Sequence, residues 1–374
     1  MKKKILITGG AGFIGSHLAD ELIRNGYEVR ILDSLLKQVH GPGEKRPSYL
    51  NGEAELVVGD VRDRSAVDQA LEGVDAVYHF AARVGVGQSM YEIREYMDVN
   101  DVGTSVLLEA IVEKPVERLV VASSMSIYGE GSYQASASSD SDVYQHVERS
   151  RDQLKEGLWE PQINGTELKP VPTPETKPPS LNSVYALSKY NQERLALVCG
   201  KAYGIPTVAL RFFNAYGSRQ ALSNPYTGVL AIFSSRYMND NPPLIFEDGL
   251  QQRDFVHVKD VAWACRLALE VPEAAYDVFN IGSGRAHTIR VIAEKAGRAL
   301  DKGDIQPEIT GKYRAGDIRH CFGDISKAES VLGYTPRISL EEGMKELLDW
   351  LINQTAEDRV EEATGELTAK GLAT

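Results

Sequence analysis

The chain has 374 residues, 43% of them hydrophobic and 25% charged, the composition of a globular protein with room for two lobes or one enlarged domain. Its formal net charge of −12 argues against a nucleic-acid partner, which needs a basic face, and no apolar stretch is long enough to cross a bilayer. Three scattered cysteines (Cys199, Cys265 and Cys321) suit a reducing compartment better than a disulfide frame or metal cluster, and Gly9 and Gly10 break the run after Lys2–Lys4 too early for a signal peptide, so the expected location is the cytoplasm.

Ile5, Leu6 and Ile7 read as a strand buried on both faces, and His17 to Ile23 begins a helical pattern. Between them Gly9, Gly12 and Gly15 have Gly-x-x-Gly-x-x-Gly spacing. The first glycine permits the turn out of the strand, the second lets backbone approach a pyrophosphate, and the third lets the helix pack on the sheet. Phosphate then meets the free N–H groups and positive end of that helix. Glu28–Asp33 is a second strand ending in a carboxylate 18 residues past Gly15, placed to accept bonds from the adenosine ribose hydroxyls. A carboxylate there repels a ribose 2′-phosphate, so the expected cofactor is NAD rather than NADP.

Ala54–Asp60 is a third strand, whose terminal Asp60 can hold the adenine amino group; Val61 follows. Ala76–Ala82 is a fourth strand running into the small residues of Arg83–Ser89, Asn100–Glu109 opens a helix, and Leu119–Ser124 is a fifth strand ending in hydroxyls. This alternation predicts a parallel, doubly wound α/β sheet of Rossmann type. From Tyr133 to about Pro179 the chain is rich in Ser, Asp, Gln and Pro without sustained apolar periodicity, an excursion in which Leu154, Leu158 and Trp159 can anchor one short helix. A helix then runs from Ser183 to about Tyr203, and Pro206–Phe213 is a sixth strand.

From about Gly217 the pattern is a smaller α/β lobe with helices near 227–238, 259–270, 288–300 and 340–353. The expected division is a dinucleotide lobe over 1–216, including the excursion 133–179, and a substrate lobe over 217–354 with interleaved elements. Residues 355–374 read as a frayed tail.

Tyr185 and Lys189, four apart at the start of a helix, share one face. An ammonium beside a phenol favours the phenolate and brings the Tyr down from its usual value near ~10. A phenolate can take the proton of a substrate hydroxyl while hydride leaves the same carbon, and Ser124 can bond that oxygen.

These residues give the chain its likeness to a family. Thr8–Gly15, Asp60-Val61, Phe80–Ala82, Ser123–Gly129, Tyr185-x-x-x-Lys189, Leu210–Asn214, Arg253–Phe255 and Arg314–Asp317 resemble the motifs of extended short-chain dehydrogenase/reductases, the nucleotide-sugar epimerase and dehydratase group, from about residue 3 to 352. The resemblance implies a homodimer through a four-helix interface, with a Rossmann lobe binding NAD and a smaller lobe binding a nucleoside diphosphate sugar. By position it implies that Gly9, Gly12, Phe13, Ile14 and Gly15 cradle the pyrophosphate, and that Asp33 holds the ribose and Asp60 and Val61 the adenine. Phe80, Ala81, Ala82, Asn100 and Phe213 line the cofactor, with Tyr185 and Lys189 beside the nicotinamide end. Ser124, Asn214, Arg253, Arg314 and Asp317 hold the sugar nucleotide, the two arginines on its diphosphate.

Dehydratases of this group carry Asp-Glu directly after the hydroxyl residue, whereas Ser124 here precedes Met125 and Ser126, which leaves a 4-epimerase. Val84–Tyr91, the excursion and Arg219–Gly228 look most like the dTDP-L-rhamnose 4-epimerases, which interconvert dTDP-L-rhamnose and dTDP-6-deoxy-L-talose. UDP-glucose or UDP-uronic acid 4-epimerases are the alternative, followed by a dehydratase or reductase and by a silent NAD-binding regulator. The resemblance to that subgroup implies Cys and His in the excursion; here it has His146 and no cysteine, so no metal is expected.

Overall fold

The computed structural model describes residues 2–372, apart from 42, 44, 136–142, 225, 227, 315–316 and 355. Seven strands form one parallel sheet: β1 (Lys4–Thr8), β2 (Glu28–Asp33), β3 (Glu55–Val58), β4 (Ala76–His79), β5 (Arg118–Ser124), β6 (Thr207–Phe212) and β7 (Asp277–Ile281). Their order is β3-β2-β1-β4-β5-β6-β7, so the winding reverses between β1 and β4. In such sheets that reversal opens a crevice beyond the carboxyl ends of the strands. The first six strands follow the sequence pattern; β7 comes from the later part of the chain and closes the edge beside β6.

The longer helices are α1 (Phe13–Arg24), α2 (Arg64–Ala70), α3 (Gly103–Glu113), α4 (Val184–Tyr203), α5 (Val229–Met238), α6 (Val258–Glu270), α7 (Ile289–Ala299), α8 (Leu340–Leu351) and α9 (Val360–Ala369). Successive strand residues face opposite sides. Ile5, Ile7, Tyr78 and Val120 therefore pack with Leu18, Leu22 and Trp263 of α1 and α6. Leu6, Val77, Leu119 and Val121 pack on the other face with Leu107 and Ile111 of α3. Burial on both sides is why these strands read as continuous apolar runs. A second core, with Tyr216, Phe233, Tyr237, Ile292, Met344 and Leu347, joins α5, α7 and α8.

The excursion is more ordered than its composition suggested. Ser132–Ala135 pairs antiparallel with Val143–Tyr144 and with Thr166–Val171, which also pairs with Gln162–Ile163. The expected short helix is Arg151–Lys155, with Leu154 buried but Leu158 exposed. A buried ionic cluster fastens the segment to the second lobe. Arg319, with no exposed surface, donates to Glu160, Glu247 and Asp248, Arg149 donates to Glu247 at 2.8 Å, and His320 Nε2 lies 2.8 Å from Glu160.

The tail is a correction. Residues 360–369, read as frayed, form α9, which buries Ala363 and Leu367. Glu366 accepts from Tyr91 at 2.7 Å and Tyr226 at 2.9 Å, and Asp358 accepts from Arg236 at 2.9 Å. These tertiary partners, rather than any apolar run of its own, order the segment. Among the described residues no helix is long and apolar enough to cross a membrane.

Candidate active site

The turn after β1 is built by close backbone approach. Gly9 has φ +69°, and a Cβ there would sit 2.7 Å from the Ala81 nitrogen, so the ends of β1 and β4 can meet only at a glycine. A Cβ on Gly15 would lie 2.6 Å from Gly10 Cα. Gly12 precedes α1 and no side chain caps that helix, so its first amides are free to receive an anion.

Gly9, Gly12, Phe13, Ile14 and Gly15 form one wall of a cleft of about 470 Å³, which is also lined by Asp33, Asp60, Val61, Phe80, Ala81, Ala82, Ser124, Tyr185, Lys189 and Phe213. Asp33 is oriented by the amides of Ala11 and Leu35, both at 2.9 Å, and each oxygen keeps a lone pair for a ribose hydroxyl. Asp60 is held by the Arg62 guanidinium at 2.7 and 3.0 Å, and that bond keeps its carboxyl below the usual range. The cleft thus fits a dinucleotide: uncapped helix end, carboxylate at the β2 end, apolar floor.

Asn100 does not line this cleft. It is completely buried, its Oδ1 accepts from the Arg83 amide at 2.7 Å, and its Nδ2 donates to the Arg83 carbonyl and to Ser188 Oγ. It staples the loop after β4 from behind instead of touching a ligand there.

Ser124, at the end of β5, and Tyr185 and Lys189, in the first turns of α4, meet at the inner end of the cleft. Ser124 Oγ bonds the Tyr185 hydroxyl and accepts from Ser126 Oγ at 2.8 Å and the Ser126 amide at 3.2 Å. Burial brings Lys189 down to about 7, against the pull of Glu193 and Asp101. The expectation that Lys189 sets the Tyr185 value is corrected: burial pushes the phenol up, and the opposing influence is its bond to Ser124.

Of the residues expected to hold a sugar nucleotide, Ser124 lines the cleft, whereas Asn214, Arg253, Arg314 and Asp317 lie outside its lining. Asn214 follows Phe213, and its Oδ1 is buried without a partner among the described residues, as is Arg314 Nε. The Arg314 guanidinium lies 4.2 Å over the Phe246 ring. Arg253 departs from expectation: it donates to the carbonyls of Gln252, Ile318 and Arg319, which leaves its Nε and part of Nη2 for a phosphate. Asp317 Oδ1 caps the Ile318 amide, and the Asp317 carbonyl accepts from Arg149 of the excursion. Residues 315–316, inside the Arg314–Asp317 motif, lie outside the described residues.

Two residues that line the cleft, Arg62 and Arg219, and one behind it, Ser126, make contacts that the sequence reading did not assign to them. Arg62 pairs with Asp60, and Ser126 buttresses Ser124. Arg219, at φ +68°, packs over Tyr49, donates to Asp20 of α1 at 2.7 Å, and keeps Nη1 buried and unpartnered among the described residues. A lone arginine in an irregular segment carries no local signal; its reach to Asp20 of α1 exists only in the fold.

Comparison with known proteins agrees with this geometry. The family described as NAD dependent epimerase/dehydratase matches residues 5–151, and the one described as GDP-mannose 4,6 dehydratase matches residues 165–347. The chain is 37% identical to a dTDP-L-rhamnose 4-epimerase of Burkholderia thailandensis, over 94% of this chain and 96% of that one. The structure superposes on the UDP-glucose 4-epimerase of Thermotoga maritima with UDP-glucose (TM-score 0.75, 30% identity, 93% of this chain and 98% of that one). It also superposes on the Thermus thermophilus UDP-glucose 4-epimerase complex with NAD (TM-score 0.74, 29% identity, 94% and 100%). With its glycine turn, its β2 carboxylate and the Ser124–Tyr185–Lys189 cluster in one cleft, the chain belongs to the NAD-dependent epimerase/dehydratase family of enzymes.

Proposed function

We propose that the chain is a 4-epimerase that interconverts dTDP-L-rhamnose and dTDP-6-deoxy-L-talose. One observation carries the choice of epimerisation over dehydration. The acids lining the cleft are Asp33, Asp60 and Glu95; the first two end β2 and follow β3, and Glu95 lies 3.9 Å from Arg62. Around Ser124, Tyr185 and Lys189 the described lining carries no carboxylate to strip a proton from sugar C5, and Ser126 is spent on Ser124.

Bound NAD supplies a reversible hydride acceptor at sugar C4. Tyr185 Oη takes the proton of the C4 hydroxyl and returns it after the sugar presents its other face. Ser124 bonds the same oxygen, and its hydrogen bond to Tyr185 favours the phenolate against burial, with Lys189 beside them at the inner end of the cleft. Asn214 Oδ1, Arg314 Nε and the free N–H groups of Arg253 serve the diphosphate sugar, which explains two buried atoms otherwise without partners. The rhamnose assignment is supported by the 37% relative, and UDP-glucose is the second reading, supported by the two superposed structures. A cytoplasmic homodimer completes the proposal; Leu187, Leu195 and Val198 of α4 leave an apolar face outward.

The test is a screen of dTDP- and UDP-sugars with products read by NMR at C4. Inversion at C4 is expected without added NADH, with a C4 deuterium retained and no solvent hydrogen entering C5. A stable 4-keto-6-deoxy sugar would make the protein a dehydratase, and stoichiometric use of NADH a reductase. Tight NAD without turnover of any sugar would make it a silent binder.

A further inference from the structure

We infer that Gln192 is the positioning residue for Lys189, its amide locked from behind by Thr104 and the Ala81 carbonyl so that its oxygen holds the lysine amine at the Tyr185 end of the cleft. This rests on the roles given above to Tyr185 and Lys189. The two residues stand three apart on α4 and so share a face. Lys189 Nζ donates to Gln192 Oε1 at 2.6 Å, and both side chains are buried.

The other end of the amide has no freedom. Gln192 Nε2 lies 2.8 Å from Thr104 Oγ1, 3.1 Å from His79 Nε2 and 3.4 Å from the Ala81 carbonyl oxygen. Turning the amide over would set its oxygen against that carbonyl and its nitrogen against the lysine donor. The network is anchored in turn: Thr104 donates to the Asn100 carbonyl, and His79 Nδ1 is 2.8 Å from Thr8 Oγ1, which accepts the amides of Phe80 and Ala81. Phe80 and Ala81 line the cleft, so one buried web ties the lysine to the ends of β1 and β4.

Charge decides why a glutamine serves here. Burial keeps the His79 ring neutral, with a value of about 3, so the web carries no charge of its own. The charged groups facing Lys189 are Glu193 on its own helix and Asp101 on the stretch before α3, and both favour the ammonium. Glu193 is already engaged by Arg211 at 2.7 and 2.9 Å and by Ser123 at 2.7 Å. Burial outweighs both and leaves Lys189 near 7, where the loss or strengthening of one close acceptor shifts its protonation at working pH.

The experiment uses the full-length protein with lysine labelled by 13C at Cε. The Lys189 signal is assigned by its loss in Lys189→Arg, then titrated in the unchanged protein, Gln192→Glu and Gln192→Leu, beside the pH profile of kcat. Gln192→Glu should move the Lys189 midpoint up by about one pH unit or more and Gln192→Leu should move it down, with the alkaline limb of kcat following each. Midpoints unchanged in both variants, whatever the loss of turnover, would overturn the inference. Should Gln192→Leu not fold, Gln192→Glu alone decides, because it keeps the side-chain volume. The titration needs no sugar substrate, so failure of the epimerase reading leaves this result intact.

Discussion

Replacing Arg319 by Met tests what holds the 133–179 segment to the second lobe. Its guanidinium is fully buried and donates to Glu160, Glu247 and Asp248. The methionine fills much of the space but takes a cation away from Glu160, Glu247 and Asp248, of which Glu247 is buried, leaving Arg149 and His320 as the remaining partners. Removing one partner of a buried ionic group costs about 3–5 kcal/mol. The titration behaviour gives a similar size. Burial alone would raise Glu160, yet its bonds with His320 and Arg319 bring it from 4.5 to about 2. At about 1.4 kcal/mol per pH unit that is at most about 3 kcal/mol, shared between His320 and Arg319 and reduced by the partial exposure of Glu160, so it is an upper bound on the Arg319 share. Glu247, deeper in the cluster, is pushed up instead because burial outweighs Arg149 and Arg319, so the magnitude rests on Glu160. Its folded value lies below the unfolded one, so the stabilisation is complete above about pH 4.5 and is lost as pH falls towards 2. The assay is limited proteolysis across Arg151–Ile163 at pH 7, with cleavage expected about 100-fold faster or more in the variant. Cleavage within threefold of the unchanged protein would refute the reasoning.

Tyr185→Phe keeps the ring and should lower turnover by about 10²–10⁴ with the fold intact by circular dichroism, while Ser124→Ala should cost less; near-normal turnover of Tyr185→Phe would show another base at work. Asp33→Ala removes the carboxylate at the β2 end and should narrow the preference for NAD over NADP in direct titration, and an unchanged ratio would place the discrimination elsewhere. Ending the chain at residue 354 removes Glu366 from Tyr91 and Tyr226, and Tyr226 lines the cleft, so NAD should dissociate several-fold faster by fluorescence while the sheet still folds. An unchanged release rate would show that α9 is only a passenger.

Much of this protein is determined within short stretches of sequence. The inner strands announce themselves because burial on both faces demands apolar runs, and the glycine turn because only glycine permits φ +69° with a backbone 2.7 Å away. Tyr185 and Lys189 share a face by helical period alone, and Asp33 stands at a strand end a fixed distance past the turn. Tertiary structure decided what depends on partners far along the chain. Asn100 became a staple for Arg83 rather than a ligand contact, and Arg253 gave part of its guanidinium to backbone carbonyls. The tail became a helix because Tyr91 and Tyr226 await Glu366, Arg219 reached the cleft by packing on Tyr49, and Gln192 met Thr104, 88 residues away. Hydrogen bonds and ion pairs between distant segments leave no period in the sequence, so only the fold reveals which polar groups are spent on structure and which remain for chemistry.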